Sequence, residues 1–141
     1  MRKLTVVQLL PALHAGGVER STIEIAGALA RKGHRAIVVS AGGRLVQPLR
    51  DAGGERLPLD IGRRSLLTLR HMPTLRRLLA EVGADIVHAR SRLPAWLGYK
   101  ARQAMPAATR PAWVTTVHGL DSPGRYSQIM TSGQRVICVS Q

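Results

Sequence analysis

Three short stretches of the sequence carry groups that could do chemistry: His14 to Gly17 (HAGG), His88 to Arg92 (HARSR) and Thr116 to Asp121 (TVHGLD). Gly16 and Gly17 close a short loop between an apolar run, Leu4 to Leu10, and a segment whose apolar residues recur at helical spacing. A strand, a tight glycine turn and a helix, in that order, aim backbone N–H groups and the positive end of a helix dipole at one point. That point suits an anion, most often a phosphate. Arg90 and Arg92, just past a strand, would supply the forked donors that grip phosphate or carboxylate. His118 precedes Gly119, where the backbone can turn tightly and a ligand can approach.

Each of these has a plainer reading. Gly16-Gly17 lacks the GxGxxG spacing, and no acidic residue closes the second strand to hold a ribose, so a simple turn explains it as well. Arg90 and Arg92 read equally as solvated charges, and His88 as a strand-end residue tied to a backbone carbonyl. His14 reads as exposed, while His34 and His71 receive no role. His14, His88 and His118 fit a metal poorly, because their neighbourhood supplies cations in place of carboxylates or thiolates. A serine nucleophile fits worse: there is no G-x-S-x-G elbow, and Ser91 stands between two arginines.

The elements that would position these residues follow from the pattern. Leu4–Leu10, Ala36–Ser40, Ala84–His88 and Trp113–Val117 read as buried strands, and Glu55–Leu59 as a weak strand near an edge because of Pro58. Between them lies a first helix, with Val18, Ile23, Ile25, Ala26, Leu29 and Ala30 on one apolar face and a stop at Gly33. Leu45–Ala52, Ser65–Val82 and Pro94–Ala104 follow, with Pro73 expected to kink or divide the third. Asp121–Gly133 is irregular or partly helical, and Arg135–Val139 starts a last strand. This alternation predicts an α/β, Rossmann-like doubly wound fold: a mainly parallel sheet with helices on both faces. Ligands of such sheets bind beyond the carboxyl ends of the strands. The loops after the first, second (Ser40 to Gly43), fourth and fifth strands therefore converge on one edge.

Composition narrows the partners. At 141 residues the sequence makes one domain with a proper core. Its net charge of +13, mostly from arginine, calls for anionic partners. With no Phe and only two Trp and two Tyr, the core must be aliphatic and platforms for base stacking are scarce, which argues against nucleic acid. The single cysteine, Cys138, lies in an apolar run and reads as a small buried residue in a reducing cytosol. No signal-peptide pattern and no membrane-spanning run is visible, so a cytoplasmic location is expected. The helix over Ser65–Val82 is crowded by Arg63, Arg64, Arg70, Arg76 and Arg77: either a solvated face or a surface for peripheral contact with anionic lipid. Because the sequence stops at Gln141 just after a strand, where the pattern calls for a helix, these residues are expected to be part of something longer.

Taken together, GGVER, DIVHARSR and TTVHG, with VICVS after them, resemble the N-terminal lobe of family-4 GT-B glycosyltransferases. These retaining enzymes move a sugar from a nucleotide-sugar to an acceptor. The likeness covers essentially all 141 residues, and SAGGRL, HARSRLPAW and RYSQIMTSGQRVICVS are most similar to members that make lipopolysaccharide or other surface glycans. It implies two Rossmann-like lobes facing a cleft, residues 1–141 being the acceptor-side lobe and the nucleotide-sugar lobe lying outside them. By that resemblance Gly16 and Gly17 lie against the donor diphosphate through their N–H groups. His118 is the catalytic histidine beside the transferred sugar, where it stabilises developing charge. Arg90, Ser91, Arg92 and Gly119 face the acceptor, a phosphorylated or acidic glycan that is lipid-linked or part of lipopolysaccharide.

The resemblance implies hexosyl transfer without metal or cofactor, the nucleotide-sugar being a co-substrate, at the inner face of the plasma membrane. Alone, these residues are expected to bind donor poorly and turn over little. The reading left open beside it is a non-catalytic domain that binds anions or anionic membrane.

Overall fold

Short runs of β-branched and aliphatic residues make the central strands, which are too apolar to lie anywhere but inside. The computed structural model of the protein describes residues 3–10, 17–41, 43–59, 61, 70–90, 92–117 and 135–138. In chain order they form β1 (Thr5–Leu9), α1 (Gly17–Arg31), β2 (Arg35–Ser40), α2 (Val46–Asp51), β3 (Glu55–Pro58), α3 (Met72–Glu81), β4 (Ile86–Ala89), α4 (Arg92–Gln103), β5 (Ala112–Val117) and β6 (Arg135–Cys138). The six strands make one parallel sheet in the order β3-β2-β1-β4-β5-β6. From β1 the chain winds outward through β2 to β3, then crosses back and winds the other way from β4. The doubly wound fold expected from the sequence is the fold observed, with β3 at an edge as Pro58 requires.

Alternation along the strands sorts side chains onto two faces. Val7, Leu9, Ile37, Val39, Val87, Ala89 and Trp113 face Leu75 and Leu79 of α3 and Ala95, Leu97 and Ala101 of α4. Leu10, Ala36 and Val38 face Ala26 of α1 and Leu49 of α2. The apolar face of α1 is narrower than its spacing promises: Thr22 and Ala26 are buried, Ile23 and Leu29 pack partly against the core, and Ile25 stays half-exposed. α1 ends at Gly33, whose φ of 84° is left-handed, as a C-terminal glycine stop requires.

Pro73, expected to kink or divide the helix over Ser65–Val82, stands in the first turn of α3, where the N–H that proline lacks has no helical partner anyway. Residues 62–69, where the longer helix was expected to begin, lie outside the described residues. The buried core clusters are aliphatic, as predicted, apart from one indole. Trp113 is 1% exposed and meets Tyr99 at a centroid distance of 6.1 Å and an interplanar angle of 58°. Room for the indole comes from Gly98 in α4. A Cβ there would lie 2.5 Å from Leu9 Cδ1 and 3.1 Å from Trp113 Cζ3.

At the amino edge, the Leu4 N–H donates to His34 Nδ1 at 3.0 Å and the Thr5 N–H to Asp85 Oδ2 at 2.8 Å, so His34, assigned nothing from sequence, closes the start of β1. On β2 and β3, Arg35 grips Glu55 with two bonds, Nε to Oε2 at 2.7 Å and Nη2 to Oε1 at 3.0 Å. That hydrogen bonding holds the Glu55 carboxyl below its ordinary range, and the nearby positive charge adds to the effect. The pair's contribution is therefore present above the ordinary carboxylate range and lost as pH falls through the folded value.

Two measurements follow from this packing. Gly98→Ala forces Leu9 or α4 to move, and chemical denaturation should show a loss of about 1–3 kcal/mol. Glu55→Gln should cost under about 1 kcal/mol at neutral pH, since side chains 38% and 47% exposed are well screened. That difference from the parent should vanish when both proteins are compared at acidic pH.

Candidate functional site

Gln8 is the one polar residue between Val6 and Leu10, in a strand buried on both faces. An amide there must find partners or cost stability. Register sets it beside His88 of β4, and pleating turns both toward the face that α1 covers. Arg90, one residue past β4, lies on that same face, and its N–H donates to the Leu9 carbonyl at 3.2 Å. Thr116 of β5 shares the face too, two residues beyond the register partner of His88.

These side chains join up. Gln8 is fully buried; its Nε2 donates to the Thr22 carbonyl at 3.2 Å, and its Oε1 accepts from Arg90 Nε at 2.9 Å. Arg90 Nη1 donates to Ser21 Oγ at 2.8 Å. The Val18 carbonyl in turn accepts from Ser21 Oγ at 3.0 Å and Thr22 Oγ1 at 2.8 Å. His88, also buried, pairs through Nε2 with Thr116 Oγ1. Together they form a polar floor under the first turn of α1, at the point where the strand order reverses.

Among the described residues, Arg90 brings positive charge to this edge. Arg90 is only 4% exposed, and burial pushes its guanidinium below the usual arginine range, yet an arginine this basic remains protonated. The first turn of α1 adds the positive end of its dipole, partly countered by Glu19. An anion beyond the carboxyl ends of β1 and β4 would meet both.

The structure places some of the expected site residues and not others. Gly17 heads α1 and Arg92 heads α4. The carboxyl ends of β1, β4 and β5 lie side by side, and β5 reaches this edge at Val117. Gly16, Ser91, His118 and Gly119 lie outside the described residues, as does His14. Arg90 departs from its reading as a solvated charge: it is buried, with Nε and Nη1 bonded to Gln8 and Ser21. Sequence reasoning passed over Gln8, Ser21 and Thr22. The available signal was the interruption of an apolar run by a single amide. Among the described residues no cluster of His, Cys, Asp or Glu could hold a metal, and no helix is long and apolar enough to cross a membrane.

With this geometry in place, the chain can be set beside known proteins. Residues 15–141 match the model of Glycosyltransferase Family 4. A glycosyltransferase from Rickettsia africae superposes with a TM-score of 0.82 at 31% identity, covering 99% of this chain and 38% of that one. MurG of Acinetobacter baumannii superposes at 0.72 with 14% identity, covering 96% and 41%, and a sucrose-phosphate synthase from Thermosynechococcus elongatus at 0.67 with 18% identity, covering 95% and 42%. The chain thus spans about two fifths of the length of these solved structures. No functionally curated protein matches it in sequence. The latter two likenesses concern the fold alone; the family match extends over nearly the whole chain, and on that ground the chain belongs to glycosyltransferase family 4.

Proposed function

We propose that this chain is the acceptor-side lobe of a retaining, metal-independent glycosyltransferase that moves a hexose from a nucleotide-sugar to a lipid-linked or lipopolysaccharide glycan. The observation that carries the reading is the convergence of the heads of α1 and α4 with the end of β5 on one edge of the sheet. There, the N–H groups of Gly16 and Gly17 hold the donor diphosphate, which a second, nucleotide-binding lobe presents from across the cleft. Backbone donors at a helix head need no reorganisation to meet the negative charge that grows as the leaving group departs. His118, immediately after β5, contacts the transferred sugar and stabilises charge at its reacting carbon. Ser91, Arg92 and Gly119 line the acceptor side, where a phosphorylated or acidic glycan suits the guanidinium. Arg90 belongs to this side by position, with its described bonds directed inward to Gln8 and Ser21.

The work of transfer then divides in a physically sensible way. One lobe binds the acceptor and contributes dipoles and an imidazole, while the other chooses the nucleotide. Closing the lobes expels water, so the same donors act in a lower dielectric and hydrolysis of the donor is suppressed. A location at the inner face of the plasma membrane is part of this proposal. Arg76 and Arg77 on α3 are exposed and have no ion-pair partner among the described residues, which supports contact with an anionic surface.

Two outcomes are expected. In the chain joined to a nucleotide-sugar-binding lobe, His118→Ala should lower kcat by about 10²–10³ in an assay of nucleotide release; unchanged turnover removes His118 from the chemistry. The protein should co-sediment with vesicles containing anionic lipid, and Arg76→Glu with Arg77→Glu should abolish this. Equal binding to neutral vesicles rules out electrostatic attachment.

A further inference from the structure

Arg90 is a costly residue to bury. Its long side chain gives up rotamer freedom and its charge gives up water, and what it receives is a specific geometry: Nε to Gln8 Oε1 at 2.9 Å and Nη1 to Ser21 Oγ at 2.8 Å. Two donors of one rigid planar fork thus reach two different elements, β1 and the first turn of α1. Gln8 completes the circuit, because the amide whose oxygen accepts from Arg90 donates from its nitrogen to the Thr22 carbonyl, 3.2 Å away. Ser21 completes it on the other side, since the hydroxyl that accepts from Arg90 donates to the Val18 carbonyl at 3.0 Å. Gln8 and Ser21 are both neutral, so what these two bonds give the guanidinium is direction.

We propose that Arg90 is a positioning residue, acting through Ser21 and Gln8 to set where the first turn of α1 points its amides over the β1/β4 crevice, and so how tightly an anion is held there. The inference rests on the reading of α1 as a diphosphate site. A helix head is easily displaced: its first amides lack intrahelical partners, and the end turn frays unless something outside the helix holds it. Here the hold comes from beneath, through two bonds to the turn that ends at Thr22. A lysine at position 90 would offer one compact ammonium in place of the fork and could not span both partners in the same way.

The test is amide hydrogen exchange on the protein with Arg90→Met, Ser21→Ala, Ser21→Thr and the Arg90→Met/Ser21→Ala double variant. Protection of the Ser21, Thr22 and Ile23 amides should fall about tenfold in Arg90→Met, the loss expected for a charged hydrogen bond. The Ala28 to Arg31 amides at the far end of α1 should keep their parental protection. Alanine's own helix propensity opposes the loss in Ser21→Ala, so the coupling decides: Ser21→Ala should cost protection in the parent and nothing further in Arg90→Met. Ser21→Thr, which retains the hydroxyl, should stay near parental.

Equal loss along the whole of α1, undiminished protection at Ser21 to Ile23, or strictly additive variants each overturn the proposal. Should Arg90→Met fail to fold, the contrast between Ser21→Ala and Ser21→Thr carries the same comparison, and equal behaviour of the two overturns it. In the transfer assay the same variants should raise the donor KM about tenfold and change kcat less. First-turn protection lost without a change in donor KM overturns the diphosphate role of α1 while leaving the polar tie in place.

Discussion

A charged guanidinium buried beneath a helix head is the constraint on which the carboxyl edge of this protein depends. Burying an arginine is tolerable only if its donors are met, and Gln8 and Ser21 meet two of them. Those two residues lie on different elements, so satisfying one side chain fixes three segments relative to one another: β1, the end of β4 and the first turn of α1. The rest of the edge follows. β1 and β4 adjoin where the strand order reverses, which opens a crevice, and the satisfied cation lies in its floor.

The two faces of the sheet divide the labour between stability and chemistry. The face under α3 and α4 is dry and closely packed, with Leu9, Val87 and Trp113 interlocked against a helix that Gly98 allows to come near. Close packing of this kind gives the sheet a single rigid shape. The opposite face is apolar at β2, where Ala36 and Val38 meet Ala26 and Leu49, and turns polar toward β4 and β5, where His88, Thr116 and Arg90 replace the aliphatic residues. Polar networks of this kind are stabilising only when complete, which ties the geometry of the edge to the rigidity of the other face. A glycosyltransferase gains from that arrangement, because groups held in place before reaction need not reorganise while charge develops.

Much of this was legible in the linear order of residues. Apolar runs of five to seven residues separated by helical periods leave few alternatives to a parallel sheet, and Pro58 marked its edge strand. The motifs GGVER, DIVHARSR and TTVHG led to the family without any structure. Other features needed the fold. Pro73 stands in the first turn of α3, where a proline is a start signal, and only the position of α3 shows it. Gln8 was absorbed into an apolar run because the residues around it are aliphatic. Arg90 admits the reading of a solvated charge because arginines usually are one, and only the fold shows it buried.

By itself, then, the sequence determined the fold class, the strands and the aliphatic character of most of the core. Those properties depend on periodicity and composition, which are local and survive any small error in boundaries. Only the tertiary structure decided which polar residues are partners. Gln8 and Arg90 are separated by 82 positions and Ser21 and Arg90 by 69, and nothing along the chain announces that they meet. Register between β1 and β4 and the crossing of α1 over them bring these groups within hydrogen-bonding distance. A hydrogen bond is specified by three-dimensional direction, which a one-dimensional pattern does not encode.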